Sequence, residues 1–246
     1  MTDYSIYHYS VPERMKYISV AFAAEAVISY VFYRSILIFL ILAPFSLLYP
    51  ELIKKNLIQK RRKRLEAEFK EGIWILSSLL SAGYSIENAV EESVSELRLL
   101  YGKKVCIISE FEYISHRIRM NIPVEKAFEE FGERSGSEDI RNFARVIKIA
   151  KRSGGELVSV IAHTASVISD KIRIKEEILT MTTAKRYEQK IMNLLPVLIV
   201  IYVDASSPGF FDLMYTSFIG RIMMSVCLGA YLFALYLSGR ILNIEV

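Results

Sequence analysis

Cysteine and histidine are scarce in this chain. Cys106, Cys227, His8, His116 and His163 are the only ones in 246 residues. One cysteine falls in a polar stretch and the other in an apolar one, so no disulfide framework is expected. The polar stretch is expected in a reducing compartment. Neither cysteine stands in a C-x-x-C and no two histidines stand at ligand spacing, which argues against the common zinc patterns. There is no G-x-x-x-x-G-K-[ST] loop to cradle phosphates and no G-x-S-x-G turn to expose a nucleophile. The carboxylate pairs Glu91/Glu92 and Glu129/Glu130 sit in helical patterns, where such pairs are solvated faces far more often than acid–base dyads. The expectation is a protein that is not an enzyme and needs no cofactor or metal. Proline is scarce too, with 6 residues. Strand signals are few, so an all-α chain is expected.

Apolar residues, by contrast, are plentiful. The chain is 52% hydrophobic with a mean hydropathy of +0.29, yet 24% of it is charged. That combination implies apolar segments separated from a polar block. Residues 65–190 hold 19 Lys/Arg against 20 Asp/Glu, and the remainder holds 12 against 7. Seven of those 12 form one run: Lys54, Lys55, Lys60, Arg61, Arg62, Lys63 and Arg64. A nucleic-acid surface would have such a run. Its place directly after an apolar segment favours a membrane-flanking role, with no nucleic acid as partner.

Residues 17–33 are apolar apart from Glu25, Arg34 interrupts, and residues 35–53 are apolar apart from Glu51 and two prolines, Pro44 and Pro50. Each arm is close to the minimum span of about 17 residues. A transmembrane hairpin turning near Arg34 is expected, with a re-entrant or interfacial hairpin as the competing reading. Near the other end, residues 191–203 and 222–238 are two further apolar runs, giving about four transmembrane helices. The basic residues then fall mostly on one side, which puts both termini and the polar block in the cytoplasm. Glu25 lies at membrane depth and is expected to have a structural role in the bundle interior; Asp204 is expected at the interface.

Within the polar block a pattern occurs twice. Leu80-Ser-Ala-Gly-Tyr-Ser-Ile-Glu-Asn-Ala-Val-Glu-Glu92 aligns with Ile118-Arg-Met-Asn-Ile-Pro-Val-Glu-Lys-Ala-Phe-Glu-Glu130, 38 positions on. Gly83 falls on Asn121, and both tolerate positive φ. Ser85 falls on Pro123, both helix-start residues. Glu87, Ala89, Glu91 and Glu92 fall on identical residues. An internal repeat of helix hairpins is expected, with apolar stripes Phe69, Ile73, Leu76, Leu80 and Ile86, Ala89, Val90, Leu97.

Residues 137–152 read as one more helix. Ile140, Phe143, Ile147 and Ala150 lie on one face. Arg141, Arg145, Lys148 and Arg152 lie on the other as a basic stripe, a candidate docking site for an acidic partner beside the plainer reading of a solvated face. A turn is expected at Gly154-Gly155. A long helix then runs from residue 156 towards the third apolar run, where Pro196 is expected to kink or locally break it.

Taken in order, these features resemble the type II secretion system F domain family, and within it the Flp/Tad-type (TadB/TadC-like) pilus assembly proteins. The resemblance covers roughly residues 65–246. It is carried by Leu79-Leu-Ser-Ala-Gly-Tyr-Ser-Ile-Glu-Asn-Ala89, its weaker copy Ile122-Pro-Val-Glu-Lys-Ala127, Ala150-Lys-Arg-Ser-Gly-Gly-Glu-Leu157 and Thr183-Ala-Lys-Arg-Tyr-Glu-Gln-Lys-Ile-Met-Asn-Leu-Leu-Pro196. Asn121 stands where the family usually has glycine. The resemblance implies an inner-membrane platform protein. Its cytoplasmic bundle would engage a hexameric secretion ATPase, its membrane part pilin subunits, and the protein would pair with itself or a paralogue.

The expected organisation is an N-terminal membrane hairpin (1–53), a basic linker (54–64), a cytoplasmic antiparallel bundle of duplicated helix hairpins (65–190) and a C-terminal membrane hairpin (191–246). The alternative is a small multi-span transporter or channel with a cytoplasmic regulatory domain, suggested by Glu25, Pro196 and Asp204.

Overall fold

A computed structural model describes residue 4 and residues 9–46, 48–102, 105–153 and 157–242. The expected Gly154-Gly155 turn and the side chain of Arg152 lie outside the described residues. Among those described, the chain is helical and holds no strand. In order the helices are α1 (Val11–Tyr33), α2 (Ile36–Ser46), α3 (Tyr49–Ser81), α4 (Ile86–Tyr101), α5 (Cys106–Arg119), α6 (Val124–Ser135), α7 (Glu138–Ser153), α8 (Leu157–Ser206), α9 (Asp212–Thr216) and α10 (Phe218–Leu242). They form two compact units, one of residues 1–8 and 54–176, the other of residues 9–53 and 177–246.

The first unit is built on the duplicated hairpin. Gly83 has φ 94° and Asn121 φ 61°, both in the left-handed region. Behind each, a backbone N–H reaches five residues back: Tyr84 to the Leu79 carbonyl at 3.1 Å, Ile122 to the Arg117 carbonyl at 3.1 Å. This is the Schellman closure of a helix end, made twice, 38 positions apart. Ser85 caps α4 by accepting from the Asn88 N–H at 3.3 Å, and Pro123 occupies the same position before α6. Burial follows the same register. Phe69, Ile73 and Leu76 are buried, and so are Ile107, Phe111 and Ile114; Ile86, Ala89 and Val90 are matched by Val124, Ala127 and Phe128.

The core is aromatic at its centre. The ring of Phe69 lies 6.0 Å from that of Phe131 and 5.4 Å from that of Phe143; Phe128 contacts both Phe111 and Phe143. Ile140, Phe143, Ile147 and Ala150 of α7 close one side, as the stripe predicts, and Ile161, Ala165, Ile168 and Ile172 of α8 add another. Gly72 is pressed against Phe111, where a Cβ would stand 3.0 Å from the ring.

Among the described residues, three acids are buried in this unit. Glu68 of α3 accepts from the Ile107 N–H at 3.2 Å and so caps α5 from a neighbouring helix; Arg64 holds it at 2.8 Å. Glu110 pairs with Arg134 at 2.7 Å, and Asp139 with Lys171 at 2.5 Å. Tyr4 is also buried here: its hydroxyl donates to Glu110 Oε1 at 3.1 Å and its ring lies under the Arg61 guanidinium.

Among the described residues, three helices are long and apolar enough to cross a membrane: Val11–Tyr33, Val158–Ser206 and Phe218–Ile241, the middle one running from the first unit into the second. That is consistent with the about four expected. The second apolar run forms a helix of only 11 residues, about 16 Å at 1.5 Å per residue, roughly half a hydrocarbon core. Pro44 sits near its end, and a new helix starts at Tyr49. Pro196 also behaves differently from a break: α8 runs through it as helix. One backbone hydrogen bond is lost there.

Arg34 ends α1 in the left-handed conformation, φ 46°. Its guanidinium reaches Asp204 at 2.8 Å and Asp212 at 3.4 Å and lies 5.6 Å from the Tyr215 ring, whose hydroxyl donates to the Val31 carbonyl at 2.7 Å. Asp204 is thus the partner of a cation. Glu25 is half-buried, and its Oε2 finds no hydrogen-bond partner among the described residues.

The turn at Gly83 has open space around it, with no atom within 4 Å of a built Cβ. Substitution there costs backbone strain alone. Gly83→Val is expected to destabilise the bundle by about 1 kcal/mol or more. Thermal unfolding followed by circular dichroism checks this; an unchanged melting temperature would show that the turn tolerates a β-branched residue.

Candidate functional site

The sequence points to α7 as the functional face, and the structure resolves its charges into two groups. Arg141 and Arg145 are exposed, one helical turn apart, with no acidic partner among the described residues. Ile149, one turn further on, is 65% exposed. Lys148 is instead committed, 2.8 Å from Glu129 on α6. Arg141 and Arg145 with an exposed isoleucine form a mixed basic and apolar strip, and a strip of that composition suits a partner surface with acidic and apolar groups.

The strip is backed by a contact that spacing alone does not reveal. Lys151, on α7, lies 3.2 Å from Glu87 of α4 and 3.2 Å from Glu125 of α6. These two glutamates are the equivalent residues of the two repeats. Each stands in the first turn of its helix, where a negative charge is favoured by the helix dipole. One lysine thus closes both hairpins onto α7.

The electrostatics agree with the geometry. Partial burial disfavours the charge on Glu125, but its own backbone N–H and Lys151 outweigh it and hold the carboxyl below the ordinary value of 4.5. Burial likewise works against the charge on Lys151, and Glu125 and Glu87 overcome it, raising the ammonium above 10.5.

Other carboxylates are also engaged. Glu91 pairs with Arg119 at 2.6 Å; Glu130 accepts from Arg117 at 3.0 Å and from the Tyr113 hydroxyl at 3.1 Å. A groove of about 300 Å³ between α4 and α5 is lined by Glu91, Arg98, Glu112, Ser115, His116 and Arg119. Its charges are paired across it, Arg98 with Glu112 and Arg119 with Glu91. Among the described residues no group of three His, Cys, Asp or Glu could hold a metal ion.

The sequence model of the family described as type II secretion system, protein F, matches residues 75–203. That is 129 of 246 residues, just over half of the chain. No curated protein and no solved structure matches.

Lys151→Met is expected to lower stability near neutral pH by about 1 kcal/mol, a figure already reduced for the partial exposure of all three groups. Glu125 has a depressed folded-state pKa. Its contribution is present above the ordinary value of 4.5 and is lost as the pH falls through the lower folded value. Melting curves of the intact chain and the variant should therefore differ at pH 7 and converge in acid, as the pH falls through that lowered value. A gap that persists in acid would assign the effect to packing of the lysine stem.

Proposed function

The chain belongs to the type II secretion system protein F family, and we propose that it is the platform protein of a Tad-like pilus or a related secretion machine. In this reading the helical unit docks a cytoplasmic secretion ATPase and the apolar unit contacts pilin subunits, with a second copy or a paralogue completing the platform. It performs no chemistry of its own and carries no cofactor. What carries the reading is the extent of the family match. It starts at Ile75 in α3 and ends at Val203 in α8. It therefore takes in the helical bundle and the approach to the membrane together.

The chain is a membrane protein, and we place it in the inner membrane with the helical unit and both termini in the cytoplasm. Two features support this topology. The basic run 54–64 belongs to the helical unit, as the positive-inside rule asks. Tyr4 is buried in that same unit, so an even number of crossings separates residue 4 from residue 54. The 23-residue α1 takes the chain out. Residues 36–53, α2 together with the first turn of α3, return it. Pro44 and the boundary at residue 48 interrupt this return, which is why length and composition alone do not score it as a span.

A transport role is the second reading, favoured by the unpartnered Oε2 of Glu25 in α1. It predicts ion or solute flux in proteoliposomes that Glu25→Gln abolishes. Absence of flux from the intact chain would remove it.

The platform reading predicts that the full-length protein in native membranes co-purifies with a secretion ATPase. Failure to capture any such ATPase from cells that still assemble pili would overturn it. Arg141→Glu combined with Arg145→Glu is expected to weaken that capture at least tenfold while leaving the melting temperature unchanged, because both side chains are exposed. Undiminished capture would move the docking site off α7.

A further inference from the structure

The basic run near the start of α3 divides by residue type. Its three arginines are all engaged by the bundle. The Arg61 guanidinium lies 4.9 Å from the Tyr4 ring centre. That of Arg62 covers Gly136 so closely that a Cβ there would stand 2.6 Å from it. Arg64 pairs with the buried Glu68 at 2.8 Å. Three lysines of the same run, Lys55, Lys60 and Lys63, are exposed and reach no carboxylate among the described residues. Elsewhere in the unit Lys70, Lys148, Lys151 and Lys171 each pair with one.

The three lysines share a face. At about 100° per residue, Lys55, Gln59, Lys63, Asn56 and Lys60 follow one another round the helix within about 140°. All five are exposed. No acid interrupts them: residues 52–65 contain none, and Glu66 is engaged by the Ser137 hydroxyl at 2.6 Å. Lys60 and Lys63 stand three positions apart, a spacing at which like charges repel and oppose the helix. The face therefore lacks an internal counter-charge, and anions from outside the chain are what would relieve it.

Which anions follows from position. The apolar run before it ends at residue 53. Lys55 stands two residues beyond that end and Lys63 ten, about 3 and 15 Å along an unbroken helix. Lipid headgroups extend about 6 Å beyond the hydrocarbon on each side. The potential of an anionic membrane surface reaches about 8 Å further at physiological ionic strength. The lysine face is within reach of that layer whether residues 35–53 cross the membrane or lie along its interface. Residue type agrees with place. Guanidinium groups stack and fork onto fixed partners inside the fold, whereas an ammonium is a hydrated point charge on a flexible stem. That suits headgroups, which are mobile and offer no fixed geometry.

We propose that Lys55, Lys60 and Lys63 form a binding face for anionic phospholipid headgroups. Each lysine near such a surface contributes about fivefold, so three give a preference over zwitterionic lipid of about a hundredfold at low salt.

Native mass spectrometry of the full chain in detergent micelles, titrated with phosphatidylglycerol or phosphatidylcholine, tests this. Phosphatidylglycerol is expected to be held at least tenfold more tightly, with the preference shrinking as ionic strength rises. Lys55→Gln, Lys60→Gln and Lys63→Gln together should bring the two lipids to within threefold and leave the melting temperature unchanged, since all three side chains are exposed. Arginine at the same three positions should keep the preference. Equal retention of both lipids by the intact chain, or an undiminished preference in the glutamine variant, would overturn the proposal. So would displacement of phosphatidylglycerol by millimolar glycerol phosphate, which marks a site for free phosphate, or by micromolar single-stranded RNA, which assigns the face to nucleic acid. Acetylation of the intact chain in nanodiscs decides the matter even if the glutamine variant does not insert. Relative to the exposed Lys126, Lys55, Lys60 and Lys63 should be labelled at least fivefold more slowly in phosphatidylglycerol than in phosphatidylcholine. Equal labelling in the two lipids would sink the lysine face. None of these readouts involves an ATPase or a pilin, so the platform reading stands or falls separately.

Discussion

Phe69 sets its ring against Phe131 and Phe143, and the helical unit depends on that contact. It joins the first repeat to the second and both to α7. Phe128 extends the stack to Phe111, so four helices share one aromatic cluster. Removing a buried ring of this kind costs about 3–5 kcal/mol, against a typical domain stability of about 5–15 kcal/mol. The duplicated hairpins are therefore not two small domains side by side. Each leaves its apolar stripe open, and each is closed by the other.

Around that apolar centre, buried charge decides which ends meet. Glu68, Glu110 and Asp139 are each 4–6% exposed. A buried carboxylate is costly unless it is paired and its lone pairs are filled. Here each is paired with a cation from an arginine or lysine. Glu68 does more than pair: it fills the first-turn donor of α5, whose own start at Val105 supplies no side-chain cap. A shift of α3 by one turn would strand both the carboxylate and the helix end. Such pairs contribute little net energy compared with apolar packing, and they penalise wrong registers heavily.

How much of this is legible in the sequence depends on how local the signal is. The turns at Gly83 and Asn121 are readable because positive φ demands particular residues, and the apolar stripes because their period is that of a helix. The 38-residue offset is readable because four identities repeat at it. Glu68, Glu110 and Tyr4 give no such signal. Glutamates in helical patterns look solvated until a neighbouring helix is known, and a tyrosine in a short polar leader has no periodicity to place it. The pairing of Lys148 is hidden for the same reason, since Glu129 has to be placed on the facing helix before it can be seen. The continuity of α8 through Pro196 and the early end of α2 give no such signal either. A helix absorbs one proline when its neighbouring turns hold, whereas hydropathy extends an apolar run past the point where the helix ends.

The clamp at Lys151 sets α7 apart from the bundle's two repeated halves. Duplication makes two equivalent helix starts with two equivalent glutamates, Glu87 and Glu125. A partner that recognised the repeated surface alone would find two near-identical sites. α7 is not repeated, and one lysine from it satisfies both glutamates at 3.2 Å. The symmetry of the repeat is thereby broken at a single helix. That helix carries on its outer side the exposed Arg141, Arg145 and Ile149. This surface occurs once per chain and is fixed to both repeats by a buried aromatic contact and a two-way ion pair, so it has one orientation relative to both.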